Sequence, residues 1–327
     1  MKENLIKEDS RPLMVSIQCF TFNQESYIRQ CLDGFVMQKT NFRFEAIVHD
    51  DASTDGTADI IREYAEKYPD IIKPIFETEN QYSKHDGSLR RIMDEACTGK
   101  YIAICEGDDY WIDPQKLQIQ VDFLENHPDY SMCFHRAAVL DYLGNGSCLR
   151  CFDIEDREYT IDELYSQWIV PTNSMVYRKE CTDYPITHSE RLLNGDGAIV
   201  LSCAHTGKVR GMSVYMSVYR IQQGGVTYDS KFHKDRIMRY PEHEECIMEN
   251  FPKINRKAIE RSLGFHYYNR SLIQTDETLK KHDYKMAKKY IPQFFKQQRR
   301  DKIKKRIKKF IFFPYYIINR ILDKRSV

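Results

Sequence analysis

The 327-residue chain has the composition of a globular protein with a sizeable core, because 42% of its residues are apolar and 30% are charged. These fractions exclude a chain that is disordered throughout. The net charge is only +1, yet residues 285–327 carry +13, which leaves −12 on the preceding 284 residues. An acidic body with a basic tail predicts that the tail has an anionic partner of its own.

Cysteine usage and the N-terminal sequence indicate the compartment. Ten cysteines are scattered without a framework, and no apolar signal segment follows Met1. We therefore expect a chain that stays in a reducing cytoplasm with free thiols. The pair Cys148 and Cys151 has no second pair at zinc spacing, so we expect neither a metal nor a redox role for it.

Four short apolar segments alternate with helical patterns over the first 105 residues. These predicted strands are residues 13–20, 44–49, 71–76 and 101–105. Such alternation predicts βαβ units and a parallel sheet. The first helix shows an apolar stripe from Tyr27 to Val36, and Asn23 is its predicted cap.

The later segments predict further helices. One helix covers 88–97 and stops before Gly99, and the next opens with Asp113 and Pro114, a capping residue followed by proline at the first helical position. Short strands follow, and then a mostly helical region. The predicted division of the chain is an α/β domain at 1–225, a helical appendage at 226–290 and a basic tail at 291–327.

Polar loops follow three of the predicted strands. They are FTFN at 20–23, HDDAS at 49–53 and EGDD at 106–109. Because ligands bind beyond the carboxyl ends of parallel strands, these loops are expected to line one crevice. Carboxylates that close together repel unless a cation joins them, so a divalent metal is implied.

The stretch AIVHDDASTDGT at 46–57 admits two other interpretations. A calcium loop needs a bidentate Glu at its twelfth place, where this chain has Arg62. A phosphatase of the aspartyl type needs a nucleophilic carboxylate where this chain has Ser53. Neither interpretation fits the residues.

Several motifs together resemble the inverting family 2 glycosyltransferases, and they cover about the first 225 residues in the order of that family. The matching stretches are VSIQCFTFNQESYIRQCLDGFVMQ, EAIVHDDASTDGT, GKYIAICEGDDYWIDPQKL, NGDGA and YRIQQGG. The resemblance implies an α/β protein with the GT-A fold, in which a Rossmann-like, mainly parallel sheet is flanked by helices and followed by a C-terminal helical appendage.

The resemblance also implies a nucleotide-sugar donor, most often a UDP-sugar, and a set of residues that bind it. Asp51 matches the aspartate that accepts the uracil N3–H, and Phe22 matches an aromatic residue against the base. Asp108 matches a residue that faces the ribose. Arg90 matches an arginine near the nucleotide, although Arg91 replaces the asparagine usually found beside it.

For catalysis, the resemblance assigns the metal to Asp109 and the proton-accepting base to Asp196. Mn²⁺ or Mg²⁺ held by Asp109 and the diphosphate is sufficient ligation. A carboxylate is an ordinary acceptor for the proton of the attacking hydroxyl. In relatives with a YRxHxGG loop a histidine completes the metal shell, and here Gln222 occupies its place. Either water fills that shell, or the loop closes over the diphosphate with Arg220 as its charge clamp.

Some residues of these motifs are also explained by a purely structural role. Asp50 and Asp55 are typical turn residues whose side chains bond their own backbone. Asp51 is better explained by function, because adjacent aspartates at a buried strand end are costly without a partner. Asp196 could cap a helix that starts at Ala198, and core packing is the favoured interpretation of Trp111.

The basic tail carries apolar residues at helical spacing, namely Ile303, Ile307, Phe310 and Ile311, and a second stripe after Pro314. The apolar stretch is too short to span a bilayer, which needs roughly 20 residues. We therefore expect the tail to lie on an anionic membrane surface. A solvated basic helix and a nucleic-acid contact are the alternatives, and nucleic acid is the less favoured partner.

The leading hypothesis is a metal-dependent inverting glycosyltransferase, peripheral on the cytoplasmic face of a bacterial-type cell membrane, that adds a sugar to a glycan or a lipid-linked glycan for a surface polysaccharide. The alternative is a nucleotide-binding partner protein that has lost the chemistry. Asp196 favours the enzyme, because a protein that only binds nucleotide has no use for a base.

Overall fold

A computed structural model describes residues 9–84, 86–141, 148–151, 153–222 and 230–302 of the chain. Within these ranges ten strands belong to one sheet, and they are β1 (Leu13–Thr21), β2 (Arg43–Asp50), β3 (Ile72–Phe76), β4 (Tyr101–Ile104), β5 (Tyr110–Trp111), β6 (Tyr130–Asp141), β7 (Cys148–Cys151), β8 (Glu158–Tyr159), β9 (Val176–Arg178) and β10 (Lys208–Ile221). The four predicted strands correspond to β1 to β4.

Helices cover both faces of the sheet and form the C-terminal part of the described chain. They are α1 (Ile28–Val36), α2 (Thr57–Lys67), α3 (Ser88–Ala96), α4 (Lys116–Asn126), α5 (Ile161–Ser166), α6 (Gly195–Thr206), α7 (Ser230–Asn250), α8 (Arg256–Ile273) and α9 (Glu277–Tyr290), and residues 292–302 are also helical.

The sheet is largely parallel at one end and mixed at the other. Its strand order is β3-β2-β1-β4-β9-β6-β10-β5, and β7 and β8 pair with β6 and β10. The neighbours from β3 to β4 are parallel, whereas β9 runs antiparallel to both β4 and β6. This arrangement confirms the predicted Rossmann-like sheet, and it sets the loops after β2 and β4 on either side of β1.

Alternate residues of the central strands enter two different hydrophobic clusters. Ala46 and Val48 of β2 pack in one cluster with α1 and α2, whereas Ile47 packs in the other with α3 and α6. Successive side chains of a strand point to opposite faces, so both faces of the sheet are buried. The near-continuous apolar runs in the sequence follow from this double burial.

The helix starts differ from two of the predictions. Tyr27, not Asn23, is the N-cap residue of α1, and it makes no side-chain cap hydrogen bond. Asn23 has a left-handed backbone with φ of 51° and bonds the loop after β2 instead. Helix α4 begins at Lys116, three residues after Asp113, whose carboxylate accepts the Gln115 N–H.

The described chain divides into two compact units. The first comprises the described part of Met1–His233 together with Cys246–Asn255, and the second comprises Lys234–Glu245 with the described part of Arg256–Val327. The division of the sequence at 225 and 290 stays a prediction. Helix α7 contributes residues to both units.

The second unit is built around a buried ion-pair network. Arg270 of α8 donates to both carboxylate oxygens of Asp283 in α9, each at 2.9 Å, and Asp283 is fully buried. Helices α8 and α9 approach closely at Gly264, which has no side chain. A Cβ added at Gly264 would lie 2.8 Å from the side chain of Ile291, the C-cap residue of α9. A methyl group there would force the helices apart.

The start of the basic tail packs within this unit. Phe294 and Phe295, in the helical segment 292–302, make edge contacts with Tyr268 of α8. In the described ranges, no helix has both the length and the apolar content needed to cross a membrane. The predicted stripes from Ile303 onward lie outside the residues that the structure describes.

Candidate active site

The loops after β1 and β2 are joined by reciprocal hydrogen bonds. The Asn23 N–H donates to Ser53 Oγ at 2.9 Å, and the Thr54 N–H donates back to Asn23 Oδ1 at 2.8 Å. The Glu25 N–H donates to Asp55 Oδ2 at 3.1 Å. The Ser-Thr-Asp-Gly sequence therefore holds two loops together, which explains much of its polarity without a ligand.

Asp55 has the structural role that its sequence context suggested. Its Oδ1 accepts the Thr57 N–H at 3.0 Å and also the Thr57 hydroxyl. Partial burial opposes ionisation, but the hydrogen bonds from Thr57 and the Glu25 backbone outweigh it and hold the pKa of Asp55 below its ordinary value. Asp50 similarly accepts the Ser53 N–H at 3.3 Å.

Asp51 is hydrogen-bonded to two backbone segments that carry exposed aromatic residues. Its buried carboxylate accepts the backbone N–H groups of Gln81 at 2.6 Å and Tyr82 at 3.0 Å, and its own N–H donates to the Thr21 carbonyl at 2.9 Å. Phe22 follows Thr21 and is 47% exposed, and Tyr82 is 46% exposed. Each carboxylate oxygen can accept a second hydrogen bond, so Asp51 retains the capacity to bind a ligand N–H.

The loop after β4 presses against the loop after β1. The Gly107 N–H donates to the Phe20 carbonyl at 3.0 Å. A Cβ on Gly107 would lie 2.6 Å from Thr21 Cγ2 and 2.3 Å from Gln24 Oε1. Only glycine fits this contact, which accounts for the second position of the EGDD motif.

The three acidic residues of this loop have raised pKa values. Burial, and then the charges of Asp108 and Asp196, raise the pKa of Glu106 to about 8. Burial also raises the pKa of Asp108, and burial together with the Asp108 charge raises that of Asp109 well above its ordinary value. Carboxylates whose ionisation is opposed in this way favour a cationic partner.

Asp109 is 1% exposed, and the protein already binds both of its oxygens. Oδ1 accepts the Arg220 N–H at 2.8 Å, and Oδ2 accepts Asn173 Nδ2 at 3.0 Å. Asn173 also donates to the Val218 carbonyl at 2.9 Å and accepts the Ser217 hydroxyl at 2.8 Å. No motif in the sequence singles out Asn173.

Arg220 is directed toward the acidic loop. Its guanidinium lies between two tyrosine rings, 5.2 Å from the Tyr27 centroid and 4.4 Å from that of Tyr110. Nη1 donates to the Asp108 carbonyl and Nη2 to Gln30 Oε1. Among the described residues Nε has no hydrogen-bond partner. These contacts support a role in shaping the Asp108 backbone, and the predicted diphosphate clamp stays a prediction.

Gln222 contacts the side chain of the same acidic residue. Its Nε2 donates to Asp108 Oδ2 at 2.8 Å. An amide nitrogen is not a metal ligand, so in this conformation Gln222 acts as a hydrogen-bond donor to the carboxylate rather than as a ligand.

Asp196 lies in the first turn of α6, which begins at Gly195 rather than at Ala198 and has Asn194 as its N-cap. Its Oδ1 accepts the Gly197 N–H at 2.8 Å, and its Oδ2 accepts the Thr172 hydroxyl at 3.3 Å. The positive end of the helix dipole favours a carboxylate at this position. Thr172 is followed by Asn173, which donates to Asp109, so α6 and the acidic loop are joined through these two consecutive residues.

Arg90 is bound within its own helix. Its Nε donates to Asp94 Oδ2 at 2.6 Å, and Asp94 Oδ1 accepts Gln18 Nε2 of β1 at 3.0 Å. The described contacts join Arg90 to α3 and β1, so its predicted nucleotide contact stays a prediction.

The donor groups of the site fit a divalent ion. No three His, Cys, Asp or Glu side chains are preassembled as a metal centre in the residues that the structure describes. Mg²⁺ and Mn²⁺ are commonly held by one or two carboxylates together with substrate phosphates, which needs no such centre. The neighbouring Asp108 and Asp109, with pKa values raised by burial, meet that smaller requirement.

Comparison with known proteins gives a family match over the sheet and its first helices. Residues 16–178 match the profile described as "Glycosyl transferase family 2". An uncharacterized protein of Mycobacterium tuberculosis is 36% identical over 218 residues, which are 66% of this chain and 61% of the relative. The match thus spans about three fifths of that relative.

Solved structures share the fold at low sequence identity. Residues 1–349 of S. aureus TarS in complex with UDP-GlcNAc align with a TM-score of 0.57 at 17% identity, over 81% of this chain and 74% of that one. The mannosyltransferase PcManGT from Pyrobaculum calidifontis, in complex with GDP-Man and Mn²⁺, aligns with a TM-score of 0.53 at 17% identity, over 80% of this chain and 74% of that one.

Proposed function

This chain belongs to glycosyl transferase family 2, and we propose that it is a metal-dependent inverting enzyme that moves a sugar from a nucleotide-sugar, with a UDP-sugar as the favoured donor, to a hydroxyl of a glycan or lipid-linked glycan. The observation that carries this proposal is the convergence of the acidic loop with the candidate base. Two consecutive buried residues bond both elements: Asn173 donates to Asp109 of the acidic loop, and Thr172 donates to Asp196 of α6.

The nucleoside half of the donor is proposed to bind at Asp51. The carboxylate can accept the N3–H of a uracil, and the exposed rings of Phe22 and Tyr82 belong to the segments whose backbone bonds Asp51. Stacking on an aromatic ring is worth about 1–3 kcal/mol per base. The complex of TarS with UDP-GlcNAc supports a uridine donor, and that of PcManGT with GDP-Man keeps guanosine as the second candidate.

The diphosphate is proposed to lie at the loop after β4. When bound, Mn²⁺ or Mg²⁺ would offset the charge that develops on the departing diphosphate. Asp109 is the ligand that the family resemblance implies. The hydrogen bonds that occupy both Asp109 oxygens favour Asp108 as the alternative ligand, because Asp108 is less buried than Asp109.

Asp196 is proposed to act as the general base. The acceptor hydroxyl attacks the anomeric carbon, the bond from that carbon to the diphosphate oxygen breaks, and the proton of the hydroxyl passes to the Asp196 carboxylate. A single displacement of this kind inverts the configuration at the anomeric carbon. Thr172 and the Gly197 N–H each donate to one oxygen of the carboxylate, and the helix dipole favours its ionised form.

A donor panel tests this proposal. The purified full chain with manganese is screened for donor hydrolysis and thermal shift against UDP-Glc, UDP-GlcNAc, UDP-Gal, UDP-GlcA and GDP-Man. We expect one donor class to raise the melting temperature and to be hydrolysed, with Asp196→Asn lowering turnover about a hundredfold while donor affinity stays within a few-fold. Near-normal turnover in Asp196→Asn would move the base to another residue.

The tail is proposed to hold the enzyme at the cytoplasmic face of the cell membrane. Residues 303–327 carry +7, and each basic residue near an anionic surface is worth about 1 kcal/mol. Truncation after Lys302 keeps Phe294 and Phe295, which pack on α8, so the described fold is preserved. We expect this truncation to abolish binding to phosphatidylglycerol vesicles and to leave donor hydrolysis intact.

The vesicle experiment separates the membrane from the alternatives. Charge reversal at Lys304, Lys305, Lys308 and Lys309 should weaken vesicle binding most at low salt, because exposed charges are screened. Equal affinity of the full chain for phosphatidylcholine and phosphatidylglycerol vesicles, or tighter binding to RNA, would reject the membrane proposal.

A further inference from the structure

A short buried segment connects the acidic loop with the candidate base. The 3-10 turn Thr172–Ser174 precedes β9, and all three of its residues are buried. Two consecutive side chains of this turn serve different parts of the site. Asn173 Nδ2 donates to Asp109 Oδ2 at 3.0 Å, whereas the Thr172 hydroxyl donates to Asp196 Oδ2 at 3.3 Å.

The turn is itself fixed from the core. Trp111 Nε1 donates to the Asn173 carbonyl at 2.8 Å, and Gln120 Nε2 donates to the Ser174 carbonyl at 2.9 Å. The Ser174 hydroxyl donates to the Pro171 carbonyl at 2.6 Å. Both side-chain N–H groups of Asn173 are used, and its side-chain oxygen accepts the Ser217 hydroxyl. A segment held by this many hydrogen bonds has one position relative to Asp109.

We propose that Thr172 is a positioning residue for Asp196, and that the turn Thr172–Ser174 sets the distance between the donor-binding loop and the base. The inference rests on the proposed function, because it requires Asp196 to be the base. The Thr172 hydroxyl donates to one carboxylate oxygen and orients the other edge of the group toward the Gly197 N–H. Catalytic groups held in this way lose activity when their support is removed, since a misplacement of about 1 Å can cost a hundredfold in rate.

Thr172→Val tests the role of the hydroxyl, because valine keeps the branched shape and removes the donor. With the most active donor of the panel above, we expect kcat to fall about tenfold or more and the donor KM to stay within about twofold. Thr172→Ser keeps the hydroxyl and should retain kcat within about threefold. The matched control is Thr182→Val, which removes a threonine hydroxyl that donates to the Lys179 carbonyl in another 3-10 turn.

The outcomes separate this inference from the proposed function. Wild-type kcat in Thr172→Val, together with an inactive Asp196→Asn, would reject the positioning role and leave the base assignment in place. Activity in Asp196→Asn would overturn the base assignment itself. A donor KM that rises as much as kcat falls, or an equal loss in Thr182→Val, would show general loss of packing and would also reject the inference. Melting temperatures of all four variants identify any loss of folding.

Discussion

The end of β2 with the loop after it (residues 50–56, the β2 region) and the loop after β4 (residues 105–109, the β4 loop) each place three acidic residues at the same edge of the sheet, on either side of β1. In the β2 region, backbone N–H groups meet the carboxylates. Ser53 donates to Asp50, Gln81 and Tyr82 donate to Asp51, and Glu25 and Thr57 donate to Asp55. Here the fold itself supplies the positive ends of dipoles that an ionised carboxylate needs.

The β4 loop has the opposite electrostatic surroundings. Burial raises the pKa values of Glu106, Asp108 and Asp109, and mutual repulsion adds to the effect at Glu106 and Asp109. The hydrogen bonds to Asp109 lower that cost without removing it. Similar composition at two neighbouring strand ends thus produces one loop that is satisfied by its own backbone and one that favours an external cation.

This difference separates acidic residues with a structural role from those that we propose to bind a metal. A count of carboxylates does not distinguish the two loops, whereas the supply of backbone donors does. The comparison predicts that changes in the β4 loop alter metal dependence, and that changes in the β2 region alter nucleotide binding or stability without altering metal dependence.

The largest effect is expected from Asp108→Asn and Asp109→Asn. Either change removes a carboxylate from the β4 loop, so turnover should fall about a hundredfold or more, since a bound metal contributes several kcal/mol of stabilisation to the developing charge. The measurement is UDP affinity in manganese and in EDTA. We expect manganese to increase the UDP affinity of the wild type and to leave the UDP affinity of both variants unchanged.

The melting temperature distinguishes the roles of the two aspartates. Asp109→Asn places an amide N–H against one of two donors, the Arg220 N–H or Asn173 Nδ2, and should therefore also destabilise the fold. Asp108→Asn should leave the melting temperature within a few degrees. A manganese gain that persists in both variants would contradict the placement of the ion at this loop.

A smaller effect is expected from Asp51→Asn in the β2 region. Asparagine retains one acceptor oxygen and turns an N–H toward Gln81 or Tyr82, whose N–H groups the carboxylate now accepts. UDP affinity should fall about tenfold, because hydrogen bonds to a charged group contribute about 1.5–3 kcal/mol. The fall should be equal in manganese and in EDTA, measured by calorimetry. A loss of UDP affinity seen only with manganese would place Asp51 in the metal site and would contradict the distinction between the two regions.

A third prediction concerns Lys116, a fully buried cation near the β4 loop. Its Nζ donates to Gln120 Oε1 at 2.7 Å and lies 4.2 Å from the Trp111 ring centroid. Burial lowers the pKa of Lys116 to about 7. An unfolded lysine has a pKa of about 10.4, so between these values the unfolded state binds a proton that the folded state does not. The free energy of unfolding therefore rises with pH over this interval.

Lys116→Met removes the free-energy cost of burying this ionisable side chain. The variant should be more stable than the wild type at pH 7 by about 1 kcal/mol or more, and the difference should shrink as the pH approaches 10. The check is the melting temperature of both proteins from pH 6 to 10. Lys67→Met is the matched control, because exposed Lys67 lies 5.1 Å from the Tyr68 ring and should show no such pH dependence. A constant difference across this range would contradict the lowered pKa.

The sequence predicted the elements of this site better than it predicted their partners. Strands β1 to β4 and the three polar loops follow from periodicity, which is a local property. The hydrogen bond from Asn173 to Asp109 joins residues 64 positions apart, and that from Thr54 to Asn23 joins residues 31 positions apart. Asn23 was interpreted as a helix cap because its local context suits one, whereas a contact across two loops fixes its backbone.

The contacts of Arg220 are a second example of partners that the sequence does not predict. The resemblance identified a functional arginine at the end of β10 and assigned it to the diphosphate. Its aromatic neighbours, Tyr27 of the first loop region and Tyr110 of β5, come from distant parts of the chain. A local sequence pattern cannot predict contacts between residues this far apart in the chain. The direction of the Arg220 side chain is therefore seen only in the tertiary structure.

The smallest effect is expected from Asp55→Asn, which tests whether an acidic residue in the β2 region can be lost without cost to the site. Asparagine keeps an oxygen for the Thr57 N–H but loses the charge that strengthens the hydrogen bonds from Thr57 and the Glu25 backbone. Unfolding free energy should fall by about 1 kcal/mol, the usual worth of one such hydrogen bond.

Because the pKa of Asp55 is lowered in the folded state, the destabilisation should be present at pH 7 and disappear as the pH falls through that lowered pKa. Urea unfolding at pH 7 and at pH 3 measures this change, and UDP affinity with and without manganese should remain within twofold of the wild type. A changed manganese dependence in Asp55→Asn would mean that the β2 region shares the cation with the β4 loop, and the two loops would then form one acidic cluster.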